Sequence, residues 1–173
     1  GTALSASPVI SRSQDLAFFA TRNLTGQQNR VFAVHAKTGV CQWVYNGDCA
    51  GATGSQNLGQ VSSSPVLDTT AQRLYLTSTS LNGGDTVWAL TTSGTGGKLW
   101  GRNLGASYSS PAFVDTTKQS LYVGTNSGRI HRLNATSGQS CWSSAGTGCT
   151  DFSGDEQVYC VATDTRVAAS SCP

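Results

Sequence analysis

Apolar and polar positions alternate along this chain in short runs, and the runs recur in one order three times. A first set of segments holds a serine-proline step: SASPVI at Ser5–Ile10, SSSPVLDTT at Ser62–Thr70 and YSSPAFVDTT at Tyr108–Thr117. A second set is LAFFAT (Leu16–Thr21), RLYLTST (Arg73–Thr79) and SLYVGT (Ser120–Thr125), and a third is RVFAVHA (Arg30–Ala36), TVWALTT (Thr86–Thr92) and RIHRLNA (Arg129–Ala135). These runs are rich in Val, Leu, Phe, Tyr and Thr and are separated by Gly, Asn, Asp and Ser, which predicts strands joined by tight turns. No stretch of helical length keeps a 3.6-residue apolar period, so almost no helix is expected.

Each unit closes with a glycine four residues before a tryptophan: Gly39 and Trp43, Gly96 and Trp100, Gly138 and Trp142. The prolines of the openings, Pro8, Pro65 and Pro111, lie 57 and 46 residues apart, near the length of a four-stranded propeller blade. A plain sandwich also has many short strands but lacks a recurring Gly-x-x-x-Trp ending at that spacing. The expected fold is all-β, a β-propeller of four-stranded antiparallel blades. About three are complete and a fourth is partial, all within one domain over residues 1–173. The units run over about 5–48, 60–105 and 106–147, with the partial blade at 150–173. Within them Asp68 and Asp115 are read as equivalent turn residues that bond local backbone, with Ser11 at the same place in the first unit.

At this point the chain resembles the quinoprotein-type (PQQ-like) propeller repeat, whose blade carries Ala-x-Asp/Asn-x-x-Thr-Gly-x-x-x-Trp. AVHAKTGVCQW (Ala33–Trp43) and RLNATSGQSCW (Arg132–Trp142) are similar to it, and ALTTSGTGGKLW (Ala89–Trp100) fits with one extra residue. His35 stands where the motif favours Asp or Asn, Arg132 stands in the Ala position, and Ser137 in the Thr position. The resemblance covers about residues 5–145. It implies that Trp43, Trp100 and Trp142 end the outer strands and pack against the neighbouring blade, with Gly39, Gly96 and Gly138 as their motif partners. It implies little about activity, because the same repeat serves dehydrogenases, assembly scaffolds, adhesins and sensor domains.

Composition narrows the setting. The chain has 173 residues, a formal net charge of +2, 12% charged residues, 20 glycines and no methionine, and Ser and Thr make up about a quarter of it. That balance gives no basic stripe for nucleic acid or anionic lipid. No apolar run is long enough to span a membrane. The start GTALSASP lacks the regions of a signal peptide, so any signal is expected to have been removed. Six cysteines fall as Cys41/Cys49 and Cys141/Cys149, with one shared gap length, and Cys160/Cys172. Read from that repeat, they are expected to form three disulfides, although six cysteines allow 15 pairings and a zinc site or free thiols are the competing readings. Disulfides place the chain outside the cytosol: secreted, periplasmic or at the cell surface.

Candidate chemistry is thin. His35 and His131 occupy different repeat positions, His131 sharing the slot of Phe32 and Trp88. No Ser-His-Asp or Cys-His arrangement stands out. Quinoprotein dehydrogenases hold a quinone over a tryptophan, ligate calcium with carboxylates and carry a disulfide between adjacent cysteines; no Cys-Cys step or acidic constellation of that kind occurs here. Asp151, Asp155 and Glu156 are a weak calcium candidate without the alternating spacing of a ligand loop. The glycine-rich stretches at 82–85 and 94–97 read as turns rather than phosphate cradles. Asn23 and Asn134 begin glycosylation sequons that matter only in a eukaryotic secretory host.

No catalytic residue, metal or cofactor is assigned. The expected role is an extracytoplasmic, non-catalytic module that binds protein or glycan or acts as a scaffold at the cell surface, without nucleic-acid binding or membrane insertion. The alternatives are a fragment of a quinone-dependent dehydrogenase and a structural subunit of a multi-chain or filamentous assembly. An enzymatic role is the less favoured reading, which the residues leave open. Since three and a half blades do not close a ring, three readings stay open: a fragment of a longer propeller, a partner chain that completes a ring of seven or eight blades, or a compact four-bladed ring.

Overall fold

A computed structural model of the chain describes residues 4, 6–23, 29–52, 54–105, 113–124 and 130–139. These hold eleven strands in three antiparallel sheets. Sheet one is β1 (Val9–Ser11), β2 (Leu16–Ala20), β3 (Val31–His35) and β4 (Cys41–Tyr45), paired in that order. Sheet two repeats it with β5 (Val66–Asp68), β6 (Arg73–Thr77), β7 (Val87–Thr91) and β8 (Lys98–Arg102). Sheet three contains β9 (Phe113–Asp115), β10 (Ser120–Gly124) and β11 (Ile130–Asn134). The fourth strand expected for the third unit, and the partial blade at 150–173, lie outside the described residues.

Each strand of the second and third sets is shorter than its apolar run by a residue or two. The first strands start just after Pro8 and Pro65, which lack the N–H that a ladder needs. Between the first and second strands the turn is built in one way in sheets two and three. Asp68 Oδ1 accepts from the N–H groups of Thr70 (3.0 Å) and Ala71 (2.9 Å). Asp115 Oδ1 accepts from those of Thr117 (3.0 Å) and Lys118 (3.1 Å). In sheet one Ser11 Oγ meets Ser13 Oγ at 3.3 Å instead. The residue entering the second strand is left-handed in all three sheets: Asp15 (φ 52°), Gln72 (φ 52°) and Gln119 (φ 51°). Its carbonyl accepts from the N–H of the residue just past the third strand, Ala36, Thr92 or Ala135.

The sheets stack face to face. β1 lies against β5 and β5 against β9, so the first strands gather about one axis and the later strands radiate from it. Side chains alternate across a strand, and one row of sheet one (Phe18, Ala20, Val31, Ala33, Trp43, Tyr45) meets the opposing row of sheet two (Leu74, Leu76, Trp88, Leu90). Leu58 and Val61, from the segment joining the two sheets, are fully buried in the same cluster. The other row of sheet two (Tyr75, Val87, Ala89, Trp100) meets Leu121, Val123, Leu133 and Ala135 of sheet three. Sheet two is thus buried on both faces, with four of the five residues in each of β6 and β7 buried, whereas β2 of sheet one, LAFFA, is apolar throughout and has only Phe18 and Ala20 buried.

Cys41 and Cys49 are joined by a disulfide with Cα atoms 5.8 Å apart, tying β4 to the segment after it. The pairs Cys141–Cys149 and Cys160–Cys172 lie outside the described residues. Closing this loop of eight residues removes chain entropy worth about 2.5 kcal/mol. Replacing both cysteines by serine is expected to lower the unfolding free energy by up to that amount in urea, with little change of slope.

Candidate functional site

Two joints between sheets are the most constrained places in the described chain, and they assemble the motif residues. At the first, the indole of Trp43 in β4 crosses to sheet two, where its Nε1 donates to the carbonyl of Thr92 at 3.3 Å. A Cβ added to Gly96 would overlap the same ring. At the second, Trp100 in β8 crosses to sheet three, its Nε1 donating to the carbonyl of Ala135 at 3.0 Å. A Cβ added to Gly138 would overlap that ring. Gly96 and Gly138 share φ +68°, which only glycine adopts without cost. Both demands, a left-handed turn and a bare Cα for the indole, fall on one residue.

Beneath each indole the partner strand carries an alanine, since Trp43 pairs Ala33 and Trp100 pairs Ala89. The ladder slips one residue past each pair, at Ala33/Val34 and Ala89/Leu90. These bulges turn the indole toward the next sheet and leave Gln42 and Leu99 outside, Leu99 at 50% exposure. In sheet three Arg132 replaces the alanine; it is buried, with Nε donating to Ser120 Oγ at 3.0 Å. Trp142 and the calcium candidates Asp151, Asp155 and Glu156 lie outside the described residues. Gly39 is exposed at φ +71° with no atom within 4 Å of an added Cβ.

Polar and aromatic contacts complete the joints. Phe18 tilts against Trp43 with centroids 5.7 Å apart, and Tyr75 against Trp100 at 6.0 Å. Tyr75 Oη also donates to the Ala135 carbonyl, at 3.1 Å. Arg102 Nε donates to the carbonyl of Gly138 (2.7 Å), and Arg73 Nη1 to Thr136 Oγ1 (3.0 Å). At the outer corner of the first joint Tyr45 meets Trp88 edge-on at 6.0 Å, and Lys98 lies 4.9 Å over the Trp88 ring while pairing with Asp85. Nothing in the chain's spacing announced this four-residue corner. Burial pushes the Tyr45 phenol up to about 12, with the Asp85 charge adding to it. Burial likewise raises Tyr75, Asp68 adding and the Arg73 hydrogen bond and charge opposing.

The histidines stay apart. His35 Nδ1 accepts from the Lys37 N–H at 3.3 Å, and half-buried His131 faces Val123 across the ladder. Asp68 and Asp115 are turn acceptors in different sheets. Among the described residues no three of His, Cys, Asp and Glu gather as a metal site. The described tryptophans do not fit a stacked quinone either. Trp43, Trp88 and Trp100 are 5%, 2% and 9% exposed, their rings covered by neighbouring sheets.

Antiparallel sheets of four, four and three described strands, fanned from a common axis and joined indole to glycine, define a β-propeller segment of the PQQ-like repeat class. The family described as outer membrane protein assembly factor BamB matches residues 83–171, just over half of the 173 residues, and the chain belongs to it. No curated protein matches the sequence. Among solved structures the chain is similar to BamB from Moraxella catarrhalis: 18% identity, TM-score 0.55, 81% of this chain and 36% of that one. It is similar to the quinohemoprotein alcohol dehydrogenase of Comamonas testosteroni: 15% identity, TM-score 0.60, 80% and 28%. It is also similar to the quinohemoprotein alcohol dehydrogenase ADHIIG of Pseudomonas putida HK5: 14% identity, TM-score 0.57, 82% and 27%. The likeness is one of fold, and the chain spans about a third of the length of these structures.

Three outcomes are expected at the joints. Gly96→Ala and Gly138→Ala each lose at least about 2 kcal/mol in urea unfolding, from overlap with a buried indole plus left-handed strain, while Gly39→Ala loses about 1 from strain alone. Trp43→Ala and Trp100→Ala each cost about 3–5 kcal/mol. In alkali, the folded phenol of Tyr45 titrates above its unfolded value of 10.0, so stability is full below pH 10 and falls as pH rises toward 12. Absorbance of tyrosinate follows the titration, and Tyr45→Phe is expected to make the alkaline loss shallower.

Proposed function

We propose that this chain is a non-catalytic, extracytoplasmic propeller segment that binds protein and serves as an assembly scaffold. The observation that carries this reading is the burial of all three described indoles in joints between sheets, which leaves none as a platform for a planar cofactor. The space between sheets is filled by aliphatic and aromatic side chains, so binding falls to the loops and outer rims, where propellers present their variable chemistry. The family described as an outer membrane protein assembly factor supports a protein as the partner, ahead of the glycan that Ser/Thr-rich loops would also suit. The Cys41–Cys49 disulfide supports an oxidising compartment. Among the described residues there is no helix long and apolar enough to cross a membrane.

A quinone-dependent dehydrogenase fragment is the second reading, favoured by the fold likeness to quinohemoprotein alcohol dehydrogenases. Titration with pyrroloquinoline quinone and calcium separates the two. The scaffold reading expects no stoichiometric change in quinone absorbance and no dye reduction with an alcohol, and saturable one-to-one quinone binding would overturn it. In parallel, peptides from outer-membrane β-barrels arrayed against the chain are expected to bind, and a response confined to a glycan array would replace protein with glycan as the ligand.

A further inference from the structure

Two asparagine-glycine steps occur in the chain, Asn46-Gly47 and Asn82-Gly83. Such a step favours reaction of the asparagine amide, because a following residue without a Cβ leaves its backbone nitrogen free to approach the side-chain carbon. Both asparagines are left-handed, Asn46 at φ 64° and Asn82 at φ 52°. Local sequence and backbone conformation are thus shared, and the surroundings are not.

Asn46 is locked in place. It is 6% exposed. Its Nδ2 donates to the Asn29 carbonyl at 2.7 Å, and its Oδ1 accepts from the Gln56 N–H at 2.9 Å. Its own carbonyl accepts from the Gly54 N–H at 2.9 Å, and the Cys41–Cys49 disulfide ties down the residues that follow. The amide can turn back on Gly47 only by breaking both side-chain bonds.

Asn82 is open. With Gly83 (φ 73°) it forms the centre of a tight turn, closed by the Gly84 N–H on the Leu81 carbonyl at 2.9 Å. Both central residues are exposed. Among the described residues no hydrogen bond holds the Asn82 amide or the Gly83 N–H. The other ties on the turn are Ser80 Oγ on the Gly84 carbonyl and Asn103 Nδ2 on the Gly83 carbonyl, each 3.1 Å and exposed. Water replaces such bonds when a turn opens locally, and glycines at 83 and 84 let the backbone swing to where ring closure needs it.

We propose that Asn82 is a site of spontaneous modification, converting to isoaspartate and aspartate in the folded protein while Asn46 stays intact. The Gly83 nitrogen gives its proton to hydroxide and attacks Asn82 Cγ. The new N–Cγ bond forms, the Cγ–Nδ2 bond breaks, and ammonia leaves with a proton from water. Water then opens the cyclic imide: attack at the main-chain carbonyl of residue 82 gives isoaspartate, and attack at Cγ gives aspartate. No oxidant or reductant takes part. Either product places a carboxylate on the rim and takes one unit from the formal net charge of +2. This chemistry is independent of what the loop binds.

The intact, disulfide-bonded chain is incubated in mildly alkaline buffer. Charge variants, peptide masses and methyl transfer from S-adenosylmethionine by an isoaspartate-specific carboxyl methyltransferase are then followed. An acidic form is expected to accumulate, faster as pH rises, with its isoaspartate mapped to residue 82. The reaction there is expected to run at least about tenfold faster than at Asn46, whose two buried bonds must break first. In urea, where those bonds are gone, the two asparagines are expected to react at similar rates. Asn82→Gln, whose longer amide closes a ring far more slowly, is expected to lose the acidic form and the methyl acceptance. The wild-type peptide map decides the site even if that variant folds poorly. Isoaspartate confined to the urea-treated chain, or reaction at Asn46 as fast as at Asn82 in the folded one, would overturn the proposal. So would an undiminished acidic form in folded Asn82→Gln.

Discussion

An indole that must cross from one sheet to the backbone of the next constrains nearly everything around it. For Trp43 to reach the Thr92 carbonyl, sheet two has to bring a turn without a Cβ to the ring, and Gly96 does so at φ +68°. The strand that carries the indole has to bulge, and the strand beneath it has to offer only a methyl group, Ala33. The same four requirements recur with Trp100, Gly138, Ala135 and Ala89. The spacing of glycine and tryptophan follows, because four residues span the turn and the start of the outer strand. Apolar rows then settle against each other at a separation the indole has set. Dispersion and burial act on all of these side chains together, but the hydrogen-bonded ring decides their register.

Sheet position explains why the strands are buried differently. β6 and β7 of the middle sheet are each buried at four of five positions because both of their faces are covered, as in a parallel sheet between helix layers. β2 of the first sheet, apolar throughout, has only Phe18 and Ala20 buried, on the face that meets sheet two, while among the described residues no sheet lies on its other face. Among the described residues the packing runs from sheet one to sheet two and from sheet two to sheet three, so this part of the architecture behaves as a linear array whose stability is a sum of sheets and joints.

Much of this was legible in the chain itself. Period-two apolar runs, Asp68 and Asp115 as turn acceptors, and the recurring Gly-x-x-x-Trp endings each reflect a demand that few residue types can meet. Other features left no such mark. The left-handed entry to the second strand is filled by Asp15, Gln72 and Gln119. The position is constant, but the side chains differ because only the backbone is constrained there. Leu58 and Val61 belong to the core although they lie in a connecting segment, since burial depends on what the chain folds back upon. The corner of Tyr45, Trp88, Lys98 and Asp85 joins residues from two sheets and has no local pattern. The functional site was the least legible part, because the repeat encodes how sheets meet, while recognition in such a fold is left to rims and loops that no repeat specifies.

The two joints are alike in their indoles and unlike in their polar contacts, and that difference bears on how the sheets keep their order. The first is almost wholly apolar at its centre, with Trp43 as the crossing donor and the Lys98–Asp85 pair at its rim. The second adds Tyr75 and Trp100 on one carbonyl, Arg102 on the backbone of Gly138, and Arg73 on Thr136. Shape alone would let any indole-bearing sheet rest on any glycine-bearing one, since the motif is the same in each. A buried donor that finds no acceptor costs about 1–3 kcal/mol, so the Tyr75 hydroxyl and the Trp100 indole of sheet two penalise a neighbour that lacks the Ala135 carbonyl of sheet three, whereas water can replace the partners of Arg102 and Arg73. Sheet order is thus specified by what a wrong neighbour would leave unpaired as much as by what the right one provides.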